Sequence, residues 1–213
     1  MFTGIVQDLV EVVDLREMTG LVQLSLDMGA LTAALELGAS VAVNGVCLTV
    51  TSVEQGRAKF DVIAETLSLT NLRNVTVGDR VNVERSFTVG TEVGGHIVSG
   101  HVTGVAELVE RRVAGHDHVI RLSGEAAFFK YLFHKGFVAV DGASLTISRI
   151  DKEGSWFEIS LIPETLERTT LGLRDTGDYF NVEVEAQTVT TVDTVERMMS
   201  DPAWIERLKT AAD

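Results

Sequence analysis

The sequence predicts a mostly β chain in which one unit of about 90 residues occurs twice, followed by a helical tail. Three observations lead there. Short β-branched runs bounded by Gly, Asn and Asp recur along the chain. Four blocks of the first half return in the same order in the second. The stretch from about Thr188 to Asp213 shares neither feature and has helical spacing instead.

The strands come first. Val41-Ala42-Val43, Leu48-Thr49-Val50, Val81-Asn82-Val83, Val138-Ala139-Val140 and Phe157-Glu158-Ile159 are runs of strand length and composition. Gly78-Asp79, Asp141-Gly142 and Gly177-Asp178 supply turns beside them. Such a pattern belongs to a sandwich or a barrel, and a barrel leaves a small sheet with no open edge.

The repeat fixes the organisation. Val41 to Thr49 lies over Val138 to Thr146 at an offset of 97 (Cys47 over Ser144), with six of nine positions identical. Ile63-Ala64-Glu65-Thr66-Leu67 lies over Ile162-Pro163-Glu164-Thr165-Leu166 at 99, as does Gly78-Asp79 over Gly177-Asp178. Thr3-Gly4-Ile5-Val6 lies over Ser99-Gly100-His101-Val102 at 96. Offsets that drift so little mean two copies of one unit, expected over 1–96 and 97–187.

Between the copies, Val89 to Gly95 is Gly-rich and reads either as a flexible linker or as backbone that Gly94-Gly95-His96 lets close to a ligand. In the tail, 188–213, Val192, Val195, Met198, Met199, Trp204, Ile205 and Leu208 follow helical spacing. Asp201-Pro202 reads as a cap and a first helical proline, hence a break and a restart. That apolar stripe covers either the chain's own core or another copy.

Composition excludes several classes. Of 213 residues, 45% are apolar and 23% charged, which rules out wholesale disorder. Eighteen basic against 31 acidic side chains give a net charge of −13 with no basic run, so neither nucleic acid nor an anionic membrane is an expected partner. A single cysteine permits no disulfide within the chain, no basic leader precedes an apolar core, and no run is long enough to span a membrane. A reduced, cytoplasmic setting is expected.

The chemistry is expected where the copies differ in polar groups: Cys47 against Ser144, Ile5 against His101, Gly38 against Lys135, Asn44 against Asp141, Ser40 against Phe137. Two like pockets with unlike groups suit two similar ligands that are treated differently. Cys47 is a candidate nucleophile, although a free thiol is also a small buried hydrophobe. His101 titrates near neutral pH and is a candidate base. Lys135 could hold an anionic or carbonyl oxygen, or cap the preceding Phe128–Phe133 segment. His116-Asp117-His118 has the look of a metal pair but lacks supporting ligands, so a solvated loop is expected and no metal. Dinucleotide, phosphate-loop and nucleophile-elbow patterns do not occur.

Met1-Phe2-Thr3-Gly4-Ile5-Val6, Asn44 to Val50, Ser99 to Val102, Asp141 to Thr146, Leu161 to Leu166 and Val192 to Arg197 together resemble riboflavin synthase of the alpha-chain type. The resemblance covers both repeats and the tail. It implies two six-stranded Greek-key barrels, each binding one 6,7-dimethyl-8-ribityllumazine, and a C-terminal α-helix that assembles a homotrimer. It implies a transferase of riboflavin biosynthesis: one lumazine gives four carbons to another, yielding riboflavin and 5-amino-6-(ribitylamino)uracil without a cofactor. A non-catalytic lumazine-binding protein of the same fold is the rival, and association with lumazine synthase is left open.

Residue by residue, the resemblance implies a first-barrel pocket of Gly4, Ile5, Val6, Cys47, Leu48, Thr49, Asp61, Val62, Ile63, Ala64, Glu65 and Thr66. It implies a second of Gly100, His101, Val102, Ser144, Leu145, Thr146, Ser160, Leu161, Ile162, Pro163, Glu164, Thr165 and Glu185, with Lys135 contributing across an interface. The acceptor side is expected to use Cys47 or Ser40. His101 is expected to move the methyl proton while Ser144 and Thr146 orient the ring. Two departures stand out: Val46 where some members carry a second cysteine, and Glu185 where an Asp is expected.

Overall fold

A computed structural model describes residues 1–115 and 117–211, with side chains through Arg207. His116 and the Leu208 side chain lie outside the described residues. The first unit runs β1 (Asp8–Met18), β2 (Leu21–Asp27), β3 (Ser40–Val43), β4 (Val46–Glu54), β5 (Arg57–Ile63), α1 (Ala64–Leu69) and β6 (Arg80–Arg85). The second runs β7 (Gly104–Ala114), β8 (Asp117–Gly124), α2 (Ala126–Phe129), β9 (Phe137–Val140), β10 (Ala143–Asp151), β11 (Trp156–Leu161), α3 (Pro163–Arg168) and β12 (Tyr179–Val184). Helices α4 (Ala186–Met199) and α5 (Pro202–Ala211) follow.

Each unit closes into a six-stranded antiparallel barrel. The first has the strand order β1-β2-β5-β4-β3-β6, with β6 returning to β1, and the second repeats that order through β7 to β12. Its second strand pairs with the fifth rather than the third, which is the Greek-key crossing. Alternation builds the interiors: Ala58, Phe60 and Val62 of β5 point inward while Asp61 and Ile63 face out. Even the bulges are duplicated, at Val12/Asp14 and Leu108/Glu110 on the first strands and at Val50/Ser52 and Ile147/Arg149 on the fourth.

The break and restart expected at Asp201-Pro202 are present: the single helix that the resemblance implies is two, separated where Asp201 Oδ1 accepts the Ala203 N–H at 2.9 Å. Helix α4 packs Val189 against the second core, and Lys130 and Tyr131 both hold its Asp193. Val195 and Met199 stay exposed. Among the described residues, no helix is long and apolar enough to cross a membrane.

The barrels meet across a seam of buried amides. Asn82 of β6 donates to the Asp141 carbonyl (2.8 Å) and Thr170 Oγ1 (3.1 Å) in the second unit. Asn181 of β12 donates to the Asn44 carbonyl (2.8 Å) and Asn71 Oδ1 (2.8 Å) in the first. Asn82 and Asn181 are repeat counterparts, so the seam has an internal two-fold pattern. The symmetry breaks at Asp141, where the first unit has Asn44. Asp141 is fully buried, accepting from Asn181 N–H, Asn71 Nδ2 and Thr170 Oγ1. Desolvation outweighs those hydrogen bonds and pushes its pKa from the ordinary 3.8 to about 6.

A raised carboxyl pKa means the folded state holds the proton longer than the unfolded chain. The contribution is complete below the ordinary value and disappears as pH rises through about 6. Its size is of order 3 kcal/mol. Asp141→Asn keeps the Oδ1 acceptor of Asn71 and Asn181, replaces the Oδ2 acceptor of Thr170, and removes the ionisation. We expect urea unfolding to show the variant gaining stability over the parent between about pH 3 and about pH 7, by up to ~3 kcal/mol. A difference that does not change with pH contradicts this account of the seam.

Candidate active site

Two short arms define the site. Residues 1–6 and 97–102 precede the first strands of their units, and a carboxylate at the end of the sixth strand anchors each. Glu84 accepts from Thr3 N–H (2.6 Å) and Gly4 N–H (3.0 Å); Glu183 accepts from Ser99 N–H (2.7 Å) and Gly100 N–H (2.9 Å). Burial raises the Glu84 pKa despite these bonds. Phe2 and Val98 pair between the arms.

Beyond their anchors the arms cross. The Gly4 carbonyl accepts the Ser144 N–H at 2.8 Å, and the Gly100 carbonyl accepts the Cys47 N–H at 2.9 Å. Val6 packs on the second core and Val102 on the first. Gly4 (φ +74) and Gly100 (φ +84) adopt left-handed backbone, and a Cβ on either would stand 2.5 Å from the Cβ of Ser144 or Cys47. Only glycine lets the arm lie this close to the strand.

The crossing corrects the pocket grouping expected from the sequence. Cys47 shares a cavity of about 340 Å³ with Gly100, His101, Val102, Glu65 and Thr66, not with Gly4 to Val6. Ser144 and Leu145 share one of about 170 Å³ with Gly4, Ile5, Val6, Glu164 and Thr165, not with Gly100 to Val102. An alignment places residues by repeat, whereas the arms contribute to the other barrel's mouth. The cavities have no lining residue in common. A larger hollow of about 490 Å³, lined by Arg111, His118 and Arg174 among others, opens against α3, whose Pro163, Leu166 and Glu167 also line it.

Other expected residues fall around these mouths. Leu48, Val62 and Leu161 turn into the barrel cores, because alternation sends them inward. Thr49 pairs with Ser40, and Thr146 with Phe137, at the starts of the same hairpins. Asp61, Ile63, Ala64, Ser160, Ile162 and Pro163 are exposed at the ends of β5 and β11 and the starts of α1 and α3, where Ile63 and Ile162 leave apolar side chains in solvent. His118 lies on β8 rather than in a solvated loop. Among the described residues, no group of three or more His, Cys, Asp or Glu could hold a metal ion.

Lys135 is held at φ +64 where the first unit has Gly38 at φ +81. A side chain in that region costs of order 1–3 kcal/mol. The chain carries this strain where the other copy avoids it, which fits a role for the ammonium group. Glu185 occupies the N-cap position of α4, and its carboxylate accepts the Thr188 hydroxyl.

Two lining residues, and one residue behind the lining, escaped sequence reasoning. Thr70 and Thr169 line the two mouths at equivalent positions, and the repeat offset of 99 could have found them. His96 gave no such signal. It lies beside Ser144, with Nδ1 2.6 Å from Ser144 Oγ.

The Lumazine binding domain family matches this chain twice, over residues 3–86 and 99–185. Riboflavin synthase of Escherichia coli (strain K12) is 42% identical over 205 residues, covering 94% of each chain. The riboflavin synthase of Mycobacterium tuberculosis (strain ATCC 25618 / H37Rv) is 43% identical over 201 residues, covering 93% of this chain and 98% of that one. The chain belongs to the riboflavin synthase family. A crystal structure of LumP complexed with riboflavin overlays with a TM-score of 0.79 at 23% identity, covering 87% of this chain and 100% of that one. LumP complexed with 6,7-dimethyl-8-(1'-D-ribityl) lumazine gives 0.78 at 22%, covering 87% and 99%. At those identities the LumP structures speak to the fold of this riboflavin synthase family member: the paired barrels.

The crossed arms give a direct test. Gly100→Ala forces the arm off Cys47 and is expected to speed iodoacetamide alkylation of that thiol roughly tenfold or more, through local opening. Gly4→Ala, acting at Ser144, is expected to leave the alkylation rate within about twofold. The reverse pattern contradicts the crossing.

Proposed function

We propose that the Cys47 cavity and the Ser144 cavity each take one 6,7-dimethyl-8-ribityllumazine, and that the chain moves a four-carbon unit between them. The chain is a transferase of the riboflavin synthase type, and its products on this reading are riboflavin and 5-amino-6-(ribitylamino)uracil. The lumazine-binding units are 1–96 and 97–187, with 188–213 serving assembly in the cytoplasm.

One observation carries the reading: two cavities of the same origin hold unlike reactive groups and share no wall. Dismutation needs two identical heterocycles in contact, one losing a methyl proton and the other accepting a nucleophile. Within one chain the two cavities share no lining residue, so nothing in their walls brings their contents together. A second copy can do so, by facing its Ser144 cavity against the Cys47 cavity of its neighbour. The Ser144 cavity, at about 170 Å³, is also below the usual size of a small-molecule site and gains a wall from such contact. We take the assembly to be a homotrimer made through α4 and α5, with the exposed Val195 and Met199 in its interface.

On this arrangement His101, beside Cys47 in one chain, faces Ser144 and Thr146 of the neighbour. Glu65, Thr66, Glu164 and Thr165 suit the ribityl hydroxyls. Cys47 or Ser40 meets the acceptor ring, and Lys135 reaches across the interface. Holding two rings in reactive geometry is the main contribution, since oriented pairs reach effective molarities of about 10⁵–10⁸ M. The 7-methyl carbanion delocalises into the ring, so a modest base suffices. The far higher identity to the synthases than to LumP favours an enzyme over a binding protein.

Purified protein incubated with the lumazine alone is expected to develop flavin fluorescence, with riboflavin and the uracil formed in equal amounts. Tight lumazine binding with no riboflavin overturns the reading. His101→Gln is expected to lower kcat about 100-fold, the scale of one general acid–base group, and an unchanged rate removes its role. Cys47→Ser with full turnover rules out an obligatory thiolate.

A further inference from the structure

We propose that His96 is a positioning residue for the reaction: it holds Ser144 as a two-residue proton relay whose open end is the second-barrel cavity. The inference rests on the reading above and deepens it by naming how that cavity takes up a proton.

Three observations place the pair. Ser144 Oγ lies 2.6 Å from His96 Nδ1, and Ser144 lines the cavity. The imidazole is only 8% exposed and stacks on Phe137, with centroids 5.2 Å apart and planes 15° apart. Gly95 seats it: a Cβ there would stand 2.4 Å from the Thr3 carbonyl and 2.7 Å from Ser144 Cβ. The junction, which the sequence leaves open between a flexible linker and backbone close to a ligand, is therefore pressed against the arm and the site.

The electrostatics suit a proton acceptor. Burial pushes the imidazole pKa below its ordinary 6.5, and the Glu185 carboxylate opposes that shift. The ring is neutral at neutral pH, with Nδ1 free to accept the Ser144 O–H when Nε2 carries the proton. Phe137 on β9 and Ser144 on β10 face the ring without charge; Glu84 acts one step away, through the Thr3 that Gly95 touches.

The step balances as follows. The methyl C–H bond of the bound lumazine breaks, its electron pair passing into the ring. Ser144 Oγ gains that proton as its own passes to Nδ1, leaving an imidazolium that Glu185 stabilises. Return of the proton restores the pair. His101, in the opposite cavity of the same chain, is then free to serve the other ring.

Two variants separate this role from packing. His96→Asn keeps a hydrogen-bonding group near Oγ but cannot hold the proton; His96→Phe keeps the stack on Phe137 and loses the hydrogen bond. Both are expected to bind the lumazine as the parent does, by fluorescence titration, while kcat falls about 100-fold or more with KM within about threefold. The acidic limb of the parent's kcat profile is expected to change shape in both, because the part that protonation of His96 contributes is lost while that of His101 stays. Ser144→Ala combined with His96→Asn is expected to be no slower than the slower single variant, as for residues acting as a unit. Overturning results are His96→Phe or His96→Asn within tenfold of the parent kcat, an acidic limb identical to the parent's, or losses that multiply in the double variant. If the parent itself forms no riboflavin, the functional reading fails instead, and the two failures are distinct.

Discussion

The amide seam between the barrels is the constraint on which the rest depends. Asn44, Asn71, Asn82, Asp141, Thr170 and Asn181 are all buried, and each finds partners in the opposite unit or through a residue that does. Hydrogen bonds of this kind are directional, so they fix one rotation of barrel on barrel where apolar packing alone would tolerate several. With that rotation fixed, the arm of each unit reaches the β4 or β10 strand of the other, and the two mouths are set apart rather than merged.

The geometry explains why a duplicated protein carries a divergent pair of sites. A two-fold that stays strict makes both mouths alike, which suits binding two equal ligands and gives no direction to a transfer. Here the scaffold keeps the symmetry in its strand order, bulges and carboxylate anchors, while polar groups at the mouths depart from it: thiol and His101 on one side, hydroxyl and His96 on the other. Donor and acceptor roles for identical molecules require such a departure.

Much of this was legible in the sequence, and the misses have physical causes. Strands such as Val138 to Val140 and Phe157 to Ile159 announce themselves because β-branched and aromatic residues alternate between turn residues. The break at Asp201-Pro202 was readable because capping chemistry is local. Pocket membership was not. Which mouth the Gly4 and Gly100 arms join is decided by the seam, a contact between residues over a hundred positions apart in the case of Asn71 and Asn181. The partner of His96 was hidden for another reason: the Gly-rich junction allowed both a linker and an approach to a ligand, and only the tertiary fold brings the ring to Ser144.

Subunit complementation tests the central idea most directly. Two inactive chains, one with His101→Gln and one with Ser144→Ala, are unfolded, mixed and refolded together, and riboflavin formation is followed by fluorescence. If each site joins the Cys47 side of one copy to the Ser144 side of another, some mixed assemblies contain a site with both residues intact, and activity returns well above either variant alone. If the mixture is no more active than the separate variants, the two halves of the site belong to one chain, and the shared-site arrangement is wrong.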